Sequence, residues 1–388
     1  MVRRADVFRS KQGIDLLTGH QVESIDPKQH KVAGTTLDGR EFEQGYDRLL
    51  IATGASVVMP DLPGFDLPQV LPLKTLQDGR RMKSLLNSRN IKKVAIIGMG
   101  YIAMEMCETL KALDIDVAMV KPNPVFLPWL ATDLADAVRD EIAANGVGIH
   151  AGHEPERIEP SGDGVRLICS DLELAVDMVL VAIGVQPESE LAGSAGLELS
   201  VADSIAVDRM LHTSDENVYS AGDCADAYHV VTGEKTWIPL ALRANRAGWA
   251  VADNVCGRAK ALDGVAGTSV FRVFEMEVAR TGLNVTEAEK YGFEPVEMTI
   301  KGASRAHTYG DSHPLHVSAV ADKKSGRLLG MQIVGREGAA HRINAPAVAL
   351  HMGMTAAAYT QMDLAYAPPF GPTWDPTLIA ANQLVKKI

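Results

Sequence analysis

The sequence predicts an α/β chain that carries a dinucleotide-binding βαβ unit and ends in an α+β segment. Three observations predict it. The first is the stretch Val94-Ala-Ile-Ile-Gly98-Met-Gly100-Tyr-Ile-Ala103-Met-Glu105, which reads as buried strand, tight glycine turn and helix start. Gly98 permits the turn, Gly100 lets a pyrophosphate approach the backbone, and a small third residue, here Ala103, lets helix and strand pack closely. The N-terminus of the helix then offers free N–H groups and a positive dipole end to phosphates. Taken alone, the segment would also suit an ordinary strand–turn–helix. The second observation is that three more apolar runs end at a glycine: Arg48-Leu-Leu-Ile-Ala-Thr-Gly54, Val179-Leu-Val-Ala-Ile-Gly184 and Val218-Tyr-Ser-Ala-Gly222. The third is a change of texture from about Gly264, where strands and helices begin to mix.

In chain order, short strands are expected at Gly13-Ile-Asp-Leu-Leu, Gln21-Val-Glu-Ser-Ile and Lys31-Val-Ala-Gly, with Asp38-Gly39 as a turn. Prolines at Pro60–Pro68 suggest a crossover, and a helix is expected over Thr75–Ser88. The fingerprint helix carries apolar residues at Ile102, Met106, Leu110 and Leu113, and a second strand follows at Val117–Val120. An amphipathic helix is read at 133–145, and a three-stranded antiparallel patch over 148–170. Ile205-Ala-Val-Asp reads as a strand and Pro239–Asn254 as a helix. Beyond 264, strands at Ser269–Val273, Val317–Val320 and Gly330–Val334 alternate with helices at Thr286–Lys290 and Asn344–His351.

Composition narrows the functional class. The chain has 388 residues and 46% hydrophobic content, enough for two or three domains with a large core. Its net charge of −11 argues against nucleic acid or an anionic membrane as a bulk partner. No apolar run is long enough for a transmembrane helix, and Met1-Val-Arg-Arg-Ala-Asp has no apolar core for a signal peptide, so a cytoplasmic location is expected. The four cysteines, Cys107, Cys169, Cys224 and Cys256, are widely spaced and include no C-x-x-C, which reads as neither a disulfide framework nor a zinc site. His307, His313 and His316 are read as a loop and a strand face rather than a metal site.

Seven blocks recur together in one family. They are Leu50-Ile-Ala-Thr-Gly-Ala55, the Gly98–Glu105 fingerprint, Val181-Ala-Ile-Gly-Val-Gln-Pro187, Thr213-Ser-Asp through Val218-Tyr-Ser-Ala-Gly-Asp223, Ile238-Pro-Leu-Ala through Ala244-Asn-Arg, Thr281-Gly-Leu-Asn, and Asp363-Leu-Ala-Tyr-Ala-Pro-Pro-Phe370. With them the chain resembles the flavin-dependent pyridine nucleotide-disulfide oxidoreductases, and within them the coenzyme A-disulfide reductase, NADH oxidase and persulfide reductase branch. The resemblance implies two nucleotide-binding Rossmann-like domains and a C-terminal α+β dimerisation domain. The expected boundaries are 1–88 with 205–262 for FAD, 89–204 for NAD(P)H, and 263–388 for dimerisation. The first domain is expected to be N-terminally incomplete. The family opens with its own flavin-binding Gly-x-Gly-x-x-Gly turn and a helix bearing a redox cysteine, and residue 1 aligns after both. A missed upstream start codon or a real truncation would each explain that.

The resemblance also implies roles. Asp223, after Gly222, would hydrogen-bond the ribityl chain of FAD; by itself it would equally suit a helix N-cap. Thr53 and Gly54 would pass near the flavin phosphates, and Leu240 and Ala241 would lie by the flavin ring at a helix start. Gly184 would approach the nicotinamide half, and Ile102 is a further cofactor-binding candidate. Tyr101 would cover the flavin and move aside for nicotinamide, and Glu105 would bond the carboxamide. A half-buried tyrosine and a solvated helix carboxylate are the plainer alternatives. Lys121 ends the second strand, where an acidic residue would bind the ribose hydroxyls of NADH; a cation there, with Ala103, leans toward NADPH. Its alternative is a surface lysine. Tyr309 and Tyr366 would surround a thiol substrate, with Tyr366 and Phe370 reaching into the partner of a homodimer, and Arg342 is a candidate for coenzyme A phosphates. Tyr309 and Arg342 could instead be an exposed loop residue and a helix residue. The expected activity is hydride transfer from nicotinamide to flavin, then reduction of a small-molecule disulfide or persulfide through a cysteine absent from these residues. The alternatives are an oxygen-using NAD(P)H oxidase or an inactive nucleotide-binding remnant. All four cysteines are read as structural, with Cys224 the one placed near flavin.

Overall fold

The computed structural model describes residues 5–388, so the first four residues of the Met1–Asp6 stretch, read as lacking a signal-peptide core, lie outside the described residues. The chain divides into two compact units. One comprises residues 1–55, 186–228 and 235–264; the other comprises 56–185, 229–234 and 265–388.

In the first unit, three antiparallel strands, His20–Asp26, Lys31–Thr36 and Glu41–Gly45, form a meander. Strand Leu49–Ile51 then pairs in parallel with Val218–Ser220, and helix Ala241–Val255 packs Ala247, Ala250 and Val251 into a core with Val207, Leu211 and Tyr219. A second core gathers Ile25, Val32, Ile51, Ile205, Val218 and Cys224.

The second unit holds a five-stranded parallel sheet in the order Val70–Pro72, Met178–Val181, Lys93–Ile97, Asp116–Lys121, Gly148–Ala151. The central strand buries Val94, Ala95, Ile96 and Ile97 on both faces, as a parallel strand covered by helices must. Helix Tyr101–Lys111 turns Ala103, Met104, Cys107 and Leu110 inward, all fully buried. Burying each of the two larger side chains contributes about 1.5–3 kcal/mol. The unit also carries a five-stranded antiparallel sheet, ordered Ser269–Val273, Met276–Gly282, Leu328–Gly335, Pro314–Asp322, Pro295–Ala303. Phe271, Val273, Met276, Val278 and Val334 of that sheet belong to the same apolar cluster as Ile96 and Met104. The change at Gly264 is thus a change of sheet, and the two sheets share a core.

The helix expected from Thr75 runs over Leu76–Ser88, with Thr75 and Asp78 forming a reciprocal capping box. The helix read at 133–145 runs Thr132–Ala144, burying Leu134, Val138 and Ile142. Three readings are corrected. Residues 13–17 are coil after a helix at Ala5–Gln12; Ile14 and Leu17 are about half exposed, since an apolar run without a partner strand has no ladder to join. Gly148–Ala151 joins the parallel sheet, and the antiparallel triplet is Pro155–Ser161, Gly164–Cys169 and Glu173–Val176; period-two patterning cannot name a partner. Ile205–Asp208 makes only isolated bridges at Ile205, because the Val207 N–H is taken by the Asp226 carboxylate at 3.0 Å. The short strand Val70–Pro72 was not foreseen.

Candidate functional site

The fingerprint turn lies in the second unit. Gly98 has φ +113°, and a Cβ there would come within 2.2 Å of the Ala182 carbonyl oxygen, so only glycine fits without a backbone shift. Its N–H donates to Val120 O at 2.8 Å, tying the turn to the next strand. Gly100 is the N-cap of an 11-residue helix, makes no side-chain cap, and has open space where a Cβ would sit. The first N–H groups of that helix therefore lack a side-chain acceptor at the cap, the arrangement that suits a phosphate. On this ground the residues fit a dinucleotide.

Ile102 and Glu105 face the same way from the helix. With Leu73, Lys74, Met106 and Val185 they line a cleft of ≈ 290 Å³. Gly184, φ +127°, stands beside Val185 with open space at its Cβ position. An adjoining cleft of ≈ 400 Å³ shares Leu73 and Lys74 and adds Thr75, Arg80 and Lys83. Tyr101 turns elsewhere. Its ring stacks on Phe271 (centroids 5.1 Å apart), meets Trp129 edge-on at 5.6 Å, and its hydroxyl pairs with Ser269 Oγ at 2.8 Å. Lys121 ends its strand half-buried; its ammonium donates to Val125 O at 2.9 Å, and burial lowers its pKa.

The first unit brings Thr53, Gly54, Gly222 and Asp223 to the ends of its two parallel strands. Thr53 Oγ1 donates to Glu188 O, and Glu188 N–H donates to Gly54 O at 3.0 Å. Asp223 caps no helix; it follows Gly222 (φ +86°) in a turn. Leu240 is the N-cap of helix Ala241–Val255 and makes no side-chain cap bond. Sequence reasoning missed Arg243. It is 6% exposed, donates through Nη1 to Gly222 O at 2.7 Å and through Nη2 to Asp226 O, and burial lowers its pKa. Trp237 Nε1 donates to Asp223 O at 2.7 Å. Fully buried Asp226 pairs with Lys235 at 2.9 Å. These side chains lock the Gly222–Asp226 turn. The arginines in Ala-Leu-Arg243-Ala-Asn-Arg246 were visible, but helical phase alone does not say which meets a carbonyl.

The C-terminal residues sit in the second unit. Tyr309, Tyr366 and Phe370 are 53%, 50% and 79% exposed, so all three present rings at the surface. Ala306 N–H donates to Pro368 O at 3.1 Å, joining the loop before Tyr309 to the segment after Tyr366. Arg342 is neither solvated nor on an exposed helix face: its side chain is 12% exposed and ion-paired to Asp375 at 2.8 Å. Three cysteines are buried. Burial pushes the Cys107 thiol up to about 12 and Cys169 to about 11, and Cys224 packs against Ile51 O and Ala221 O. Such thiols are packed rather than reactive. Cys256 is exposed, which corrects its reading as a packed residue.

The family model described as "Pyridine nucleotide-disulphide oxidoreductase" matches residues 2–248, and its dimerisation domain matches 268–376. The chain belongs to this family. Its members are oxidoreductases, and the α/β fold with Rossmann-like units and a C-terminal dimerisation domain is the family's. The chain is 32% identical over 380 residues to an NAD(P)H sulfur oxidoreductase (CoA-dependent) of Pyrococcus furiosus, covering 98% of this chain and 85% of that one. It is 32% identical over 383 residues to an NADH oxidase of Methanocaldococcus jannaschii, again covering 98% and 85%. A solved NAD-dependent persulfide reductase from A. fulgidus superposes with a TM-score of 0.95 at 32% identity, over 99% of this chain and 72% of that one. Among the described residues, no helix is long and apolar enough to cross a membrane.

Proposed function

We propose that this protein passes reducing equivalents from NAD(P)H through FAD to a small disulfide or persulfide such as coenzyme A disulfide. The observation that carries the reading is the cap-free helix start at Gly100, with Ile102 and Glu105 lining the cleft beside it. The names of the Pyrococcus and A. fulgidus relatives support the substrate class. Bound FAD would supply the two-electron chemistry. Helix N–H groups after Gly100 would hold the pyrophosphate of NAD(P)H. Glu105 would accept from the nicotinamide carboxamide and so fix which ring face is presented. Lys121 would pair with a 2′-phosphate, favouring NADPH. Asp223 would bond the FAD ribityl chain, on a turn that Arg243 and Trp237 hold still. Thr53, Gly54, Leu240 and Ala241 would border the same cofactor. Tyr309 and Tyr366 would donate phenol O–H groups to a developing thiolate, where such donors act most strongly. For Tyr101 to cover the flavin it would have to leave Ser269.

The division proposed from the two units is 1–55 with 186–228 and 235–264 for FAD, 56–185 for the nicotinamide coenzyme, and 265–388 for a homodimer contact that includes Phe370; the expected 88/89 and 204/205 boundaries shift because Val70–Pro72 is an edge strand of the fingerprint sheet. A cytoplasmic location goes with this reading. The name of the M. jannaschii relative favours a second reading, oxidation of NAD(P)H by oxygen. One experiment tests both: NADPH oxidation is followed anaerobically with coenzyme A disulfide and thiol release is counted, then repeated with oxygen alone. One disulfide reduced per NADPH supports the reductase. Coenzyme consumption only with oxygen supports the oxidase, and no consumption of NADPH or, in a parallel run, of NADH under either condition refutes both.

A further inference from the structure

We propose that Arg342 is a positioning residue that clamps the Tyr309 and Tyr366 segments into one rigid aromatic surface. It is not a phosphate ligand. Its kinetic consequence rests on the disulfide reading above; its structural consequence does not.

The guanidinium meets four acceptors on three stretches of chain: the start of its own helix, the end of the strand before Tyr309, and the segment after Tyr366. Nε donates to Asp375 Oδ2 at 2.8 Å, Nη1 to Gly338 O at 3.2 Å, and Nη2 to Ser304 O at 3.0 Å and Phe370 O at 2.8 Å. A guanidinium has five N–H groups in a fixed planar fork. With four engaged and little of the side chain exposed, the fork has no edge left for a bidentate phosphate contact. The backbone is shaped around it. Gly338 has φ +83°, and a Cβ there would overlap Arg342 Nη1.

Each acceptor leads to a proposed substrate-contacting element or anchors one. Ser304 O closes the strand that runs into the Tyr309 loop. Phe370 O lies four residues past Tyr366. Asp375 is the N-cap of the last helix, where Oδ1 accepts from the Thr377 N–H at 2.9 Å and its hydroxyl at 2.7 Å. Buried Tyr359 donates to Thr377 Oγ1 at 3.0 Å, so the chain of bonds ends in the core. A second clasp runs parallel: Arg305 makes a bidentate pair with Glu337, one residue before Gly338. The Ala306–Pro368 bond lies between the two. Exposed rings ordinarily sit on mobile loops. Here Tyr309, Tyr366 and Phe370 are carried by backbone tied from beneath.

The test is Arg342→Lys in the full, flavin-loaded protein. Lysine keeps the charge and the aliphatic stem but cannot reach four acceptors. Amide hydrogen exchange without substrate should speed up at Ala306, whose N–H bond to Pro368 O spans the two clamped segments, and at Tyr309, Phe370 and Gly371, whose N–H bonds close turns within them. Flavin reduction by NADPH should be unchanged. KM should rise about tenfold or more, as misplaced contacts commonly do, and equally for coenzyme A disulfide and its 3′-dephospho analogue. Asp375→Asn, which keeps the Oδ1 acceptor for the helix cap, should give the same exchange pattern and serves if the lysine variant folds poorly. Unchanged exchange overturns the clamp. A KM rise confined to the phosphorylated disulfide also overturns it, since Arg342 would then touch the phosphate. If wild type reduces neither disulfide, the substrate reading falls by itself and the exchange result alone decides the clamp.

Discussion

Gly100→Ala should separate coenzyme binding from folding. At Gly100 the backbone is extended (φ −87°, ψ −170°), which alanine adopts without strain, and a Cβ would meet nothing within 4 Å. Replacing glycine by alanine at an N-cap costs about 1 kcal/mol or less. In a protein of this size that lowers Tm by about 2–4 °C at most. The same methyl would occupy the space through which a pyrophosphate reaches the helix N–H groups. Losing one charge-assisted hydrogen bond costs about 1.5–3 kcal/mol, so Kd for NADH and NADPH should rise about 10- to 150-fold. Gly98→Ala is the contrast. Its Cβ would strike a backbone oxygen at 2.2 Å in a left-handed conformation, so it should lose about 3 kcal/mol or more of stability whatever is bound. Coenzyme fluorescence titration gives Kd, and differential scanning fluorimetry gives Tm. An unchanged Kd in a Gly100→Ala protein of normal Tm would refute the assignment of the coenzyme to this turn. A Gly98→Ala protein as stable as wild type would refute the close approach itself.

Three further outcomes are expected. Lys121→Glu should weaken NADPH by about tenfold or more while sparing NADH, because a carboxylate repels the 2′-phosphate and can bond ribose hydroxyls; an unchanged affinity ratio in parallel titrations would sink the coenzyme preference. Phe370→Asp, at a side chain 79% exposed, should halve the mass measured by light scattering without lowering the monomer's helical content; a mass equal to wild type would place the dimer contact elsewhere. His229 is buried and its pKa is lowered from 6.5 to about 4, chiefly by burial, while Nδ1 accepts from the Val231 N–H. The unfolded chain therefore takes up this proton first, and stability falls as pH drops from 6.5 toward 4, by about 3 kcal/mol in all. Denaturant melts of His229→Asn across that range should show a shallower pH slope; an identical slope would show that His229 does not carry it.

The strand Lys93–Ile97, the Gly98 turn and the helix from Tyr101 were legible because all their determinants are local. Four apolar residues in a row, two glycines at fixed spacing and helical phase after them need no distant partner to be read. The blocks from Gly222 to Ala241 and the exposed rings of the C-terminal segment were found by family resemblance, again from short contiguous motifs. Strand partners were not legible. Gly148–Ala151 has the same alternation whether it joins a parallel sheet or an antiparallel triplet, and Ile205–Asp208 lost its ladder to a carboxylate 19 residues away.

The sequence by itself determined the family and the strand, turn and helix of the Gly98 fingerprint, since glycine conformations and helix starts follow from neighbours in the chain. Tertiary structure alone decided what each polar side chain does with its hydrogen bonds. Arg243 became the lock of the Gly222 turn, Tyr101 turned to Ser269, and Arg342 spent its fork on four carbonyl and carboxylate acceptors. A long cation or phenol satisfies whichever acceptor the fold brings within 3 Å, and buried polar groups must be satisfied somewhere. The partner lies 168 residues away for Tyr101 and 33 for the Arg342–Asp375 pair, beyond what any local pattern encodes.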